Sequence, residues 1–308
     1  MSDESNTVAA PLWVPTTQYS GLSTHHSYSA CRSITRQAKS SFPVAFRLLS
    51  PHKRRAMDAL YAFMRVTDDF ADEPGELPQK QVSLASWRAG LAAAIEGRFS
   101  HPIHPALADT IEQFEIPTQY LFDVIDGVES DLVPRRFATF SELYPYCYRV
   151  ASAVGQACVR VWGLRPSATW DDANAPAEAA GIAFQITNIL RDLGEDLARG
   201  RVYLPADELV AFGSPPESWR EKPDAFQAML HFQVSRAREF YRKTEPLCGL
   251  LSADGRGIFR VMCGTYRRLL DEIERAGFDV FSRRIAVPRW RKGLILLSGW
   301  ATKLGIAR

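Results

Sequence analysis

Two segments of this chain place carboxylates where a helix would bring them together. One runs Tyr61-Ala62-Phe63-Met64-Arg65-Val66-Thr67-Asp68-Asp69-Phe70-Ala71-Asp72, the other Gln185-Ile186-Thr187-Asn188-Ile189-Leu190-Arg191-Asp192-Leu193-Gly194-Glu195-Asp196. Asp68 and Asp72, like Asp192 and Asp196, are four residues apart, so on a helix each pair shares a face about 6 Å apart along the axis. Apolar residues cover much of the rest of both segments. Carboxylates on largely buried helices repel one another and lose hydration, and cations relieve both costs. A hard divalent ion with oxygen ligands suits such a place: Mg²⁺ first, with Mn²⁺ as an alternative, commonly bridging to a phosphate.

Tyr61, Arg65, Asp68 and Asp72 form one continuous polar stripe, flanked by Leu60, Phe63, Val66 and Phe70. Such a stripe either lines the polar end of a cavity or faces solvent, with Arg65 paired to Asp68 one turn away. In the second segment Asn188, Asp192 and Asp196 share a face, and Gln185 extends it upstream. Gly194 costs a helix about 1 kcal/mol relative to alanine, which suits close approach of another helix or a ligand. Arg191, Arg199 and Arg201 add positive charge able to hold phosphate oxygens. A run of surface ion pairs would explain the second segment alone, but explains both together poorly.

The elements that must carry these residues are helical. Apolar spacing follows a helical period almost throughout, and almost nothing alternates with period two. Helices are expected at 28–40, 51–72, 80–97, 104–115, 117–131, 139–162, 175–198, 224–249, 254–277 and 288–305, separated by turn chemistry such as Glu73-Pro74-Gly75 and Gly213-Ser214-Pro215-Pro216. No internal repeat or low-complexity linker divides the chain. The expectation is a single all-α domain over 26–308, with a central cavity between the acidic helices, preceded by a loose Ser/Thr/Pro-rich tail over 1–25.

With 308 residues, a 46% hydrophobic fraction and a net charge of +2, the composition is that of an ordinary soluble protein rather than a nucleic-acid-coating one. The N-terminus has no Lys or Arg before Arg32 and no apolar core of a secretory signal. No apolar run is long enough to span a membrane, so a cytoplasmic protein is expected. The five cysteines form no CxxC pair and read as reduced, mostly buried thiols. His101 and His104 fall in a Pro-broken stretch without cysteine partners, where a solvated loop is expected rather than a zinc site. The segment Trp290–Lys303 combines apolar residues, two tryptophans and basic flanks. A final helix packed on the domain is the favoured reading; weak peripheral binding to the inner face of a membrane is the other.

Between about Ser40 and Arg291 the sequence resembles the squalene/phytoene synthase family. The resemblance rests on Ser41-Phe42-Pro-Val-Ala-Phe46-Arg-Leu-Leu, Ala59-Leu-Tyr-Ala-Phe63, Asp68-Asp-Phe-Ala-Asp72, Tyr146-Cys-Tyr-Arg-Val-Ala-Ser-Ala-Val-Gly155, Asn188-Ile-Leu-Arg-Asp192-Leu-Gly-Glu-Asp196 and Gly200-Arg-Val-Tyr-Leu-Pro205. It implies an all-α isoprenoid-synthase bundle that joins two prenyl diphosphates head to head. Carried over by motif, Asp68 and Asp72 would hold Mg²⁺ on one wall, and Asn188, Asp192 and Asp196 on the opposite wall. Arg65 and Arg191 would contact diphosphate, and Arg283 a second diphosphate. Tyr61, Tyr146 and Tyr266 would line the reaction centre, with Phe42 and Phe46 against the isoprenoid chains. One departure is Ala38, where some relatives carry histidine; Lys39 is the candidate substitute.

The favoured reaction at this stage is two farnesyl diphosphates to presqualene diphosphate, on a squalene or hopanoid route. Geranylgeranyl diphosphate to phytoene is the close second, with dehydrosqualene synthesis beside it. NADPH is not favoured, since no strand–GxGxxG–helix unit is present, although helical relatives bind it without that fingerprint. Chain-elongating synthases carry DDxxD in both halves, and terpene cyclases typically carry Ser or Thr and then Glu where this chain has Asp192 and Asp196. An inactive helical subunit paired with a paralogous pathway enzyme is the reading from a different class.

Overall fold

The computed structural model describes residues 23–38, 42–219 and 223–306. Fourteen α-helices are seen among the described residues: α1 (Thr24–Gln37), α2 (Phe42–Ala45), α3 (Pro51–Asp72), α4 (Leu77–Ile95), α5 (His104–Gln113), α6 (Thr118–Ser130), α7 (Phe140–Cys147), α8 (Ala153–Trp162), α9 (Trp170–Ala198), α10 (Ala206–Ala211), α11 (Pro223–Lys243), α12 (Glu245–Leu250), α13 (Ala253–Arg275) and α14 (Arg289–Lys303). No strand occurs among them, only an isolated bridge between Leu164 and Leu251. The fold is all-α, as the helical period implies.

The two acidic helices run through the centre. α3 starts with Pro51 in its first turn, where a missing N–H costs nothing. It buries Ala56, Ala59, Leu60 and Phe63 against the core. α9 has 29 residues. It starts earlier than the expected 175 because Thr169 and Asp172 form a reciprocal capping box, with the Asp172 amide donating to Thr169 Oγ1 at 3.2 Å and the Thr169 amide to the Asp172 carboxylate at 3.1 Å. Its small residues let neighbours in: a Cβ at Gly181 would lie 2.3 Å from Ser152 Cα.

Ser152 belongs to the largest departure from the expected helix 139–162. Between α7 and α8, residues Tyr148–Ser152 form a π-turn, with the Ala153 amide donating to the Tyr148 carbonyl. The turn is wedged between α6 and α9: a Cβ at Gly127 would lie 2.7 Å from Val150 Cγ1. One extra residue per turn re-aims the Tyr-Cys-Tyr segment, as such bulges do near functional sites. The expected helix 224–249 is likewise two, α11 and α12, parted at Thr244. The expected helix 28–40 is α1, which ends at Gln37; Ala38 caps it. Lys39, Ser40 and residues 1–22 of the expected tail lie outside the described residues.

The histidine expectation is corrected. His104 opens α5 and is fully buried, and His101 and His104 both pack on Trp87 with ring centroids 5.1 Å away. Burial pushes the His101 pKa down to about 4 and that of His104 down to about 3. His101 lies in the expected loop but is half-buried, and His104 is a core residue at the start of α5; neither is the solvated side chain expected. The cysteines are free and three are buried.

Candidate active site

On α3 the polar stripe is intact, but its pairing differs from the expected one. Arg65 bonds Asp69 at 2.6 Å rather than Asp68. Among the described residues no ion pair reaches Asp68 or Asp72. Asp68 is open to solvent, yet burial is the main cause that pushes its pKa up to about 7, followed by the charge of Asp72. A carboxylate that is both open and desolvated sits inside a hollow, surrounded by protein but not covered by it.

On α9 the pattern is the reverse. Arg191 donates to Asp192 from Nε at 2.7 Å and from its terminal nitrogen, and Arg284 reaches the same carboxylate at 3.2 Å. Burial alone would lower the Arg191 pKa; the hydrogen bond and charge of Asp192 more than offset this and raise it. Four residues on, burial first and the Asp192 charge second push Asp196 up to about 6. Arg284 comes from the loop after α13, which crosses α9 at Gly194: a Cβ there would lie 2.5 Å from the Val280 carbonyl oxygen. The glycine admits a loop backbone, rather than a helix or ligand. Arg283, the residue singled out by sequence, is exposed; its neighbour Arg284 makes the contact.

Asp131, at the end of α6, links the two walls. It accepts hydrogen bonds from Tyr146 (2.9 Å) and Tyr203 (3.0 Å), and the Arg201 guanidinium donates to its backbone carbonyl at 2.9 Å. Burial raises its pKa, and those two hydroxyls oppose the rise. Its charge raises Asp68 on one wall and Asp196 on the other, and Asp72 in turn raises Asp131. The two acidic helices therefore bound a single electrostatic site. Tyr146 is fastened to that centre, its ring stacked on Tyr203 at 5.1 Å, and burial drives its hydroxyl pKa far up. Asp131 and Arg284 escape sequence reasoning because their partners are remote in the chain, and Tyr203, though inside the Gly200–Pro205 motif, carries no role there for the same reason.

Beside this site lies a cavity of about 470 Å³. Arg191, Arg284, Lys292 and Tyr266 are among its polar lining, and Val261, Leu269, Ile285 and Leu296 among its apolar lining. Tyr266 stacks on Phe184 at 4.3 Å with planes 13° apart, and burial raises its pKa. Tyr61 meets buried Phe46 edge to face at 6.2 Å. Phe42 opens α2, and its side chain lies outside what the structure describes.

The donor set fits divalent cations held jointly with a ligand. Asn188 Oδ1 is buried without a partner, on the same face as Asp192 and Asp196. Among the described residues no three His, Cys, Asp or Glu side chains converge on one point. Mg²⁺ usually takes only one or two protein carboxylates and completes its shell with phosphate oxygens and water.

Residues 35–291 match the squalene/phytoene synthase family. The chain is 37% identical over 276 residues to 15-cis-phytoene synthase of Synechococcus elongatus, covering 86% of this chain and 90% of that one. It is 38% identical over 288 residues to phytoene synthase of Arthrospira platensis, covering 88% and 91%. The chain belongs to the squalene/phytoene synthase family. Among solved structures, a dehydrosqualene synthase in complex with ligand superposes with a TM-score of 0.81 at 28% identity, covering 92% of this chain and 98% of that one. The chain is accordingly a prenyltransferase that joins two prenyl diphosphates head to head, in a family that binds diphosphate through divalent metal. No described helix is long and apolar enough to cross a membrane.

Proposed function

We propose that this enzyme condenses two C20 prenyl diphosphates (geranylgeranyl diphosphate) into phytoene. The C15 route to presqualene diphosphate, favoured on sequence alone, takes second place. Relatives at 37% and 38% identity, aligned over most of both chains, are phytoene synthases, which favours the longer donor. The 28%-identical dehydrosqualene synthase structure keeps the C15 alternative alive.

One observation carries the catalytic reading: two acidic helices coupled through Asp131, beside a largely apolar cavity whose lining includes Arg191 and Arg284. Asp68 and Asp72 would hold Mg²⁺ on the α3 wall, and Asn188, Asp192 and Asp196 on the α9 wall. When bound, the metal neutralises diphosphate charge and favours its departure. Arg65, Arg191 and Arg284 would hold diphosphate oxygens as negative charge grows on them.

Breaking the allylic C–O bond of one donor leaves its electron pair on diphosphate and an allylic cation on the chain. The double bond of the second donor attacks that cation, and loss of a proton closes a cyclopropane. Tyr266 lines the cavity, backed by Phe184 stacked on it, and an aromatic ring facing a cation stabilises it by about 0.5–2 kcal/mol. The Tyr146 hydroxyl is held at the acidic centre by Asp131. The apolar lining excludes the water that would quench the cation. A second ionisation that ends in proton loss needs no hydride donor, so NADPH is dispensable on this reading.

Mass spectrometry of products from C15 and C20 donors, offered separately with Mg²⁺ and with or without NADPH, tests it. Phytoene from the C20 donor without NADPH is the expected result. Exclusive turnover of the C15 donor would establish the alternative. Release of diphosphate from neither donor by folded protein would favour an inactive subunit.

A further inference from the structure

Four arginines line a pocket of about 190 Å³ where α1, α2 and α3 meet. Arg32 and Arg36 stand one turn apart on α1, Arg47 lies in the 3₁₀ turn Phe46–Leu48 that follows α2, and Arg54 sits in the first turn of α3. Each keeps its charge at any physiological pH. Asp58 is the one carboxylate among the described lining residues. It precedes Asp68 by about 15 Å along the α3 axis, so the pocket is separate from the metal walls.

The positive charge of this pocket is not matched. Among the described residues none of the four guanidiniums is paired with a carboxylate. Asp58 is buried. Burial raises its pKa, and a hydrogen bond from Thr35 and the charges of Arg32, Arg54 and Arg36 oppose the rise. Those arginines surround the carboxylate without bonding it, and one carboxylate against four guanidiniums leaves a surplus of positive charge. Arg32 and Arg36, like charges one turn apart on a helix, also repel each other. Arg54 supplies an independent indication. Its Nε is buried without a hydrogen-bond partner, and its terminal nitrogen reaches the Leu49 carbonyl at 3.4 Å. A buried donor left unsatisfied is uncommon in folded proteins and calls for an acceptor.

The chemistry selects the ligand. The surplus of positive charge excludes a cation. Guanidinium forks arriving from three elements suit several acceptor oxygens on one centre, which a phosphate group supplies. The pocket also backs onto the reaction cavity. Val44 of α2 lines both, and Phe46, which lines the pocket, meets Tyr61 edge to face at 6.2 Å. α2 and the turn after it are therefore the wall between the two hollows.

We propose that this pocket binds a phosphate-bearing anion outside the active site, without metal, and that the bound anion braces α2 and the turn after it against α1 and α3. The proposal does not depend on whether the donor is C15 or C20.

The test titrates the full chain with inorganic phosphate, inorganic diphosphate or glycerol phosphate in EDTA, which removes metal-bridged binding at the acidic walls. Hydrogen exchange read by mass spectrometry locates the anion. Slower exchange over residues 44–49 is expected in the wild type. Arg32, Arg36 and Arg47 are exposed, so their substitution spares the core. Arg32→Gln/Arg36→Gln should need at least about 10-fold more anion for the same protection, and Arg47→Gln should weaken it in the same direction. Both variants should keep Mg²⁺-dependent diphosphate release from prenyl donor. Arg191→Gln, a change in the active site, should leave the protection of 44–49 intact. Tighter binding of an inorganic ion supports a site for a free anion, and tighter binding of glycerol phosphate supports the same site as one for a phospholipid headgroup. Protection confined to α9 around Arg191, protection of 44–49 that neither arginine variant weakens, or equal protection by chloride at matched ionic strength would each overturn the proposal.

Discussion

α3 and α9 carry aspartates at the same spacing but treat them in opposite ways. Among the described residues Asp68 and Asp72 have no ion pair, and Asp68 holds its proton to about pH 7. Asp192 is clamped by Arg191 and Arg284. On one wall burial and mutual repulsion, offset in part by Arg65, favour an added cation or proton. The other is neutralised by arginines that are themselves suited to diphosphate. Equal sequence patterns therefore produce unequal electrostatic work, because neighbours that sequence spacing does not reveal decide the balance.

The sharpest way to break this contrast is to neutralise one carboxylate on each wall. Asp68→Asn and Asp192→Asn should each lower turnover at least about 10²-fold, since each removes a ligand aimed at developing charge. Their effects on metal-free stability should differ in sign. Asp68→Asn relieves repulsion and should raise the melting temperature. Asp192→Asn leaves the Arg191 guanidinium without its partner and should cost about 1–3 kcal/mol. Opposite signs in thermal melts would support the contrast; equal destabilisation would break it.

Gly194→Ala sharpens the role of the crossing loop. Its methyl would press on the Val280 carbonyl, which lies 2.5 Å from an added Cβ. Backbone cannot yield as a side chain does, so a loss of about 1–3 kcal/mol is expected. Turnover should fall as Arg284 shifts. Unchanged stability and activity would show that the loop does not position the arginine.

The pH dependence follows from the same carboxylates. Asp68 and Asp196 keep their protons to about pH 7 and about pH 6, above the ~3.9 of an unfolded aspartate. The native state thus binds more protons over that window, and stability falls as pH rises from about 4 to about 7. Asp68→Asn should flatten that slope in metal-free melts, and an unchanged slope would contradict the assigned shift. The smallest effect is expected at Arg65–Asp69, whose side chains are 49% and 35% exposed. Its double-mutant cycle should give less than about 1 kcal/mol.

Legibility followed how local each signal is. α3 is readable to the residue because Pro51 and Glu73-Pro74-Gly75 bracket it. The start of α9 is not, since Pro176 resembles a boundary while the capping box at Thr169 overrides it. The π-turn has no periodic signature; it follows from crowding at Gly127 and Gly181. Spacing puts the aspartates of each motif on one helix face and raises a cation–phosphate reading, which the family resemblance then favours over surface ion pairs. Asp131 is not legible in that way, because its partners Tyr146 and Tyr203 come from elsewhere in the chain. His101 and His104 mislead for the same reason: Trp87, which buries them, lies on another helix.

The central claim is that α3 and α9 face each other across one site that cation and diphosphate bridge. Thermal melts with Mg²⁺ and inorganic diphosphate test it most directly. Together the two should raise the melting temperature by several degrees, more than the sum of their separate effects. Asp72→Asn on one wall and Asp196→Asn on the other should each abolish that synergy. Synergy that survives loss of either wall would contradict the account.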